Sequence, residues 1–136
     1  MSSGRLVLVT ENIHKLRQQD RIIGCYLYDE FDEAVSRVEA LMVENGTLLP
    51  RYLLITLGGA LNVRGKKILL PVEHCQSVDL GKVKTSWRRE SLLKAPTAHD
   101  PHNPTMAEEE RILDYFDLKP YWSHEPAEGT QGDPDT

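Results

Sequence analysis

The run from Pro50 to Leu57 constrains this chain more than any other segment. In an extended backbone Leu53, Ile55 and Leu57 share one face, and Tyr52, Leu54 and Thr56 share the other. A strand apolar on both faces must be covered on both, which predicts a central, buried position. Gly58-Gly59 ends it. Other short β-rich runs surround it. Ile22 to Tyr28 is rich in β-branched and aromatic residues and is broken by Gly24. Ala34 to Glu44 alternates imperfectly, which predicts a bulge near Glu39. Asn45-Gly46 predicts a tight turn, since both residues tolerate positive φ. Lys66 to Val72 places Ile68, Leu70 and Val72 inward and Lys67 and Pro71 outward, with Pro71 near a strand end or edge. Gln76 to Asp79 and Lys82 to Ser86 read as a hairpin about Leu80-Gly81. Six short strands this closely spaced predict a mainly β fold, a small barrel or rolled sheet.

The flanks read differently. Residues 1–19 form an N-terminal extension whose run Leu6 to Val9, with Ile13 and Leu16, fits either an added strand or a short helix. The barrel occupies residues 20–96, and Trp87 to Lys94 adds one or two helical turns. Residues 97–122 hold a loop and a helix packed on the barrel. Thr105-Met106-Ala107-Glu108 is a capping box, and Ile112, Leu113, Tyr115 and Phe116 form an apolar stripe. Pro120 stops that helix, and Tyr121-Trp122 folds back on the barrel. Residues 123–136 carry no large apolar side chain and are expected to be disordered.

At 136 residues the chain fits one domain, and 40% hydrophobic with 27% charged residues is the composition of a globular protein. Its longest apolar run falls far short of the ~20 residues that span a bilayer. No membrane insertion is expected, and the chain reads as cytoplasmic. A net charge of −5 argues against nucleic acid, which favours a basic stripe on its partner. The exception is local: Lys82, Lys84, Arg88, Arg89 and Lys94 face Glu90 alone. The plain reading is a solvated strand edge, where lysines discourage unwanted pairing; the alternative is a phosphate-binding patch.

Residues able to carry chemistry are scattered. His74-Cys75, His99, His102 and His124 are potential zinc ligands, but His99-x-x-His102 lies in a proline-broken loop and no second close pair exists. Cys25 and Cys75 lack CxxC spacing and read as reduced, part-buried thiols. Asp29 to Glu33 is too short for a calcium loop and lacks its glycine, so it reads as a solvated turn. Ser86 and Ser91 have no glycine elbow. Gly58-Gly59 and Arg64-Gly65-Lys66 lack the strand–loop–helix setting of a phosphate loop. No catalytic, cofactor or metal residues are expected, and no cofactor.

Taken in order, several segments resemble one family. Ile22-Ile23-Gly24, Val38 to Glu44 and Pro50-Arg51-Tyr52-Leu53-Leu54-Ile55 resemble the opening of the PRC-barrel domain. Gly58-Gly59 and Gly65 to Val72 resemble its glycine loop and lysine–aliphatic–proline strand, and Leu92 to Pro96 is similar to the closing segment. His99-Asp100-Pro101 through Tyr115-Phe116 and Pro120-Tyr121-Trp122 resembles the extension of stand-alone members related to the cytoplasmic domain of the photosynthetic reaction-centre H subunit. The resemblance spans roughly residues 20 to 122. It implies a PRC-type β-barrel of about six strands with a short C-terminal helix, which binds macromolecules and shares no catalytic residues. The chain shows neither the membrane helix of the H subunit nor the extra N-terminal domain of the related ribosome-maturation factor, so direct photosynthetic or ribosomal roles are not expected.

These readings converge on a non-catalytic adaptor that binds protein partners and self-associates as a homo-oligomer. Tyr121 and Trp122, with Lys82, Lys84, Arg88 and Arg89, are its candidate contacts. Capping of the barrel end is the simpler role for Tyr121-Trp122. The alternatives are an RNA- or ribosome-associated factor using residues 82–94, and a small-ligand or metal-binding protein.

Overall fold

The computed structural model describes residues 5–58, 65–79 and 81–123. It is mainly β, with eight strands in two sheets and short helices after them. The first sheet has the order β1-β4-β5-β6, formed by Leu6–Val9, Ala40–Glu44, Pro50–Leu57 and Lys66–Pro71. The second has the order β3-β2-β8-β7, formed by Ala34–Arg37, Tyr26–Tyr28, Lys82–Thr85 and Cys75–Asp79. Among the described residues the ladders do not close these sheets into one ring. Two helices follow, α1 (Arg89–Leu93) and α2 (Met106–Tyr115), then a single 3-10 turn at Tyr121–Ser123.

Eight strands replace the expected six for two reasons. Leu6–Val9 is an added strand, antiparallel to β4 along its whole length, and Gln18–Asp20 is one 3-10 turn. The long strand expected over Ala34 to Glu44 is two strands, not one with a bulge. Val38 bonds Gly24 and Cys25, the residues that lead into β2 of the second sheet, at 2.7 and 2.9 Å, while the next residue, Glu39, donates to Leu54 of the first at 2.8 Å. The chain therefore changes sheets at Val38-Glu39, the usual way two sheets share a corner.

Other boundaries moved. Gly24 sits at φ 91°, so Ile22 and Ile23 lie in a turn and the strand begins at Tyr26. Gly46 alone of the Asn45-Gly46 pair has positive φ; Leu48, at φ 61°, is the second left-handed residue of a longer loop closed by Glu44–Leu49. Lys82 and Lys84 are not on an edge: β8 lies between β2, to which it runs parallel, and β7. Pro71 ends β6 at a sheet edge, as expected, but is buried rather than solvated.

That burial follows from layering. Met42, Tyr52 and Pro71 stand in register, as do Ala40, Leu54 and Leu69, and all six are buried. The Tyr52 hydroxyl reaches α2, so this face of the first sheet lies under the C-terminal helices. Leu53 with Leu70, and Ile55 with Ile68, occupy the opposite face and are fully buried too. One core runs from Val9 and Leu16 through the strands to Leu92, Ile112 and Phe116. The loop 59–64 and the tail from 124, with its expected disorder and His124, lie outside the described residues.

Candidate docking face

The outward face of the second sheet collects aromatic and basic side chains by register. Tyr26 of β2 stands opposite Arg37 of β3 on one side and Lys82 of β8 on the other. One row along, Tyr28 stands opposite Lys84. Leu27 and Val83, between these rows, point the other way and are buried. Period-two alternation thus places both tyrosines and both lysines on one surface.

The groups touch. The Arg37 guanidinium lies 5.1 Å from the Tyr26 ring centre, and the Lys82 ammonium 4.6 Å from that of Tyr28, within cation–π range. Arg37 also donates to the Gly24 carbonyl. Asp32 bridges Lys82 at 3.3 Å and Lys84 at 3.4 Å. Hydrogen bonds from Lys82 and then Lys84, with their charges, hold its carboxyl below the usual range.

The β2–β3 turn borders this face. The acidic run is a turn as expected, but Asp29 is buried and organises it: Oδ1 accepts from the backbone of Phe31 at 2.8 Å and of Glu33 at 3.0 Å. Asp32 takes φ 61°. The result is Phe31 presented outward, 63% exposed, with the Arg88 guanidinium 5.2 Å from its ring centre. Tyr26 is 49% exposed. Arg88 also lies 4.0 Å from Glu90.

The structure therefore gathers Lys82, Lys84 and Arg88 with Tyr26, Tyr28, Phe31 and Arg37, four residues that sequence reasoning passed over as site candidates. Tyr26 and Tyr28 were findable, since they fall on the solvent side of any strand that buries Leu27; Arg37 shares its parity with the buried Val35 and comes to this face through its pairing with Tyr26. Phe31 was hidden in an acidic turn. Arg89 stands apart, donating to the Val35 carbonyl at 3.4 Å and fastening α1 to β3.

Tyr121 and Trp122 lie elsewhere, folded against the first sheet. Tyr121 meets Tyr52 edge-on, and Arg51 and Arg5 stack on Tyr121 and Trp122 at 4.6 and 4.5 Å. At the centre is Glu109, fully buried, which accepts from Tyr52 and Tyr121 hydroxyls at 2.8 Å each and pairs with Arg5 at 2.6 Å. Burial first, and the Glu109 carboxylate next, raise both phenols above their ordinary value.

The candidate metal ligands do not converge: among the described residues no three His, Cys, Asp or Glu side chains group around one point. His74 Nε2 lies 2.8 Å from the Phe116 carbonyl, which can only accept, so that nitrogen carries the proton. The His74 ring packs edge-on against Trp87. Cys25 and Cys75 are free thiols. Burial, then the Glu73 charge, pushes the Cys75 thiol up to about 12. An open hollow of about 460 Å³ beside Lys84 is walled by Glu30, Glu73, His74, Cys75 and Gln76.

No described helix is long and apolar enough to cross a membrane. No curated protein matched the chain. The PRC-barrel domain model matches residues 15–85, which is more than half of the chain and includes β2 through β8. That match stops short of α1 and of the segment from His99 to Trp122, containing α2, where the H-subunit-like extension was expected. With its strands, its sheet-switching corner and this match over the sheet-forming residues, the protein belongs to the PRC-barrel domain family.

Proposed function

We propose that the protein is a non-catalytic binding and assembly module whose docking surface is the outward face of β3-β2-β8. The exposed aromatics carry this reading: Tyr26 and Phe31 are held outside by strand register and by the Asp29-braced turn, each with a cation on its ring. Aromatic and arginine side chains concentrate binding energy at interfaces. Holding Phe31 63% exposed forgoes the burial that ordinarily makes such a side chain useful to stability.

Self-association belongs to the same reading. The edge strand β7 carries the uncharged run Gln76-Ser77-Val78, all exposed, with its one charged residue, Asp79, at the strand's end.

The test is capture of crosslinked partners from the native cells by the intact protein and by Tyr26→Ala/Phe31→Ala. A differently tagged second copy in the same cells reports self-association. The expected result is a reproducible protein partner, lost in the double variant while its thermal melt stays unchanged. Identical partner sets for both proteins would reject this surface.

A further inference from the structure

We infer that a second copy of the chain pairs with β1, strand to strand and antiparallel, about a two-fold axis at Val7, an inference that rests on the self-association just proposed. β1 is an edge of the first sheet. Its residues Leu6-Val7-Leu8-Val9 carry no charge and no proline, and all four hold an unbroken register with β4. The other edges carry charge, proline or irregular pairing, the means by which sheets avoid one another. β6 has Lys66, Lys67 and Pro71. β3 ends in Arg37, and its pairing with β2 slips between Leu27 and Tyr28. β7 has neither lysine nor proline, but its pairing with β8 slips between Ser77 and Asp79.

The backbone fixes which groups of β1 are open. Antiparallel pairs alternate between those that exchange both hydrogen bonds and those that exchange none. Asn45 donates to the Arg5 carbonyl at 2.7 Å, so Arg5 and Asn45 form a bonded pair. Glu44 instead donates to Leu49, away from β1, so Leu6 and Glu44 form a non-bonded pair. Leu8, two residues on, repeats the orientation of Leu6. The N–H and C=O of Leu6 and Leu8 therefore face away from β4. Among the described residues no backbone bond from elsewhere reaches them.

A second copy answers these groups in one register. Leu6 against Leu8 of the second copy, and Leu8 against its Leu6, satisfies every one of them. Slipping by two residues sets one leucine against itself and sends the other past the end of the partner strand. In the register that satisfies both, Val7 meets Val7 of the second copy as a non-bonded pair, the closer kind, with Cα atoms about 4.5 Å apart. Val7 is 39% exposed in the single chain, although Val43, opposite it on β4, is fully buried. Pairing continues that valine row through the axis and covers its exposed member. It brings no like charges together, since Arg5 lies level with Val9 of the second copy. The two Arg5 backbones stay about 14 Å apart along the strands.

So short a contact makes a weak dimer, and sedimentation velocity of the full-length protein across a dilution series follows it. The natural protein should pass from dimer to monomer on dilution. Val7→Lys sets like charges directly opposite each other and should weaken the dimer about tenfold, with the thermal melt unchanged. Val78→Lys, on β7, should leave the dimer intact. Val7→Cys keeps the test open should Val7→Lys fail to fold, because Cα atoms about 4.5 Å apart fit a disulfide. With oxidised glutathione it should form a covalent dimer beyond the blank set by Cys25 and Cys75 in the natural protein. A chain that stays monomeric at every concentration, even one that captures a different protein through Val7, overturns the inference and self-association with it. Docking through Tyr26 and Phe31 then still stands or falls on its own capture experiment. A dimer that Val78→Lys abolishes and Val7→Lys spares, or one that Val7→Cys fails to link, overturns pairing through β1 and leaves self-association in place.

Discussion

Glu109 shows what a single residue can hide. In the run Glu108-Glu109-Glu110 it looks like helix-start charge, yet it lies three, four and seven residues before Ile112, Leu113 and Phe116. That spacing puts it on the buried stripe of α2. Periodicity could have found it; the habit of reading clustered glutamates as solvated concealed it. Its carboxylate joins the start of the first sheet through Arg5, the residue before β1, with β5 through Tyr52 and the last 3-10 turn through Tyr121. Glu109→Ala strands those donors and should cost about 3–5 kcal/mol, as removal of one partner from a buried ion pair does. Tyr52→Phe removes one bond and should cost about 1–2 kcal/mol. Urea unfolding of both variants checks the ranking, and a Glu109→Ala midpoint close to that of the natural protein would show that the cluster does not hold these elements together.

Elements were legible where local chemistry decides them. The capping box at Thr105 is present in full: its hydroxyl accepts from the Glu108 backbone at 3.1 Å, and the Glu108 carboxylate accepts from Thr105 at 2.9 Å. Glu108 accepts as well from the His99 backbone at 2.9 Å, tying the proline-rich loop to the helix. The other end of α2 was misread, because the stop is not Pro120. Asp117 adopts φ 61°, and Leu118 and Asp117 donate back to Leu113 and Asp114, a Schellman ending reached without glycine. The corner at Val38-Glu39 was illegible for a different reason, since a strand that changes partners keeps its extended backbone. Backbone bonds from His99, then Thr105, lower the Glu108 carboxyl below its ordinary 4.5. A lowered folded value means stability present above the unfolded value and lost as pH falls through the folded one. The gap in urea midpoint between the natural protein and Glu108→Ala should therefore be full at pH 6 and narrow well below 4.5. Equal gaps at pH 6 and pH 3 would remove the carboxylate from this account.

At the scale of the whole molecule, the family match and the folding unit do not coincide. The match covers residues 15–85, leaving out β1, α1 and α2. All four residues of β1 pair with β4, from Leu6 opposite Glu44 to Val9 opposite Leu41. The helical layer covers the face of the first sheet that holds Met42, Tyr52, Leu54 and Leu69, each 2% exposed or less. Exposing four such side chains forfeits about 1.5–3 kcal/mol apiece. The sum rivals the roughly 5–15 kcal/mol that stabilises an entire domain. A chain of residues 15–85 should therefore lack a cooperative urea transition, bind the dye ANS and show collapsed amide dispersion. A chain of residues 5–123 should unfold cooperatively near the midpoint of the intact protein. If 15–85 instead unfolds cooperatively at that midpoint, the first strand and the helices are appendages. The core would then have to close without Val9, Leu92, Ile112 and Phe116, which the structure packs into it.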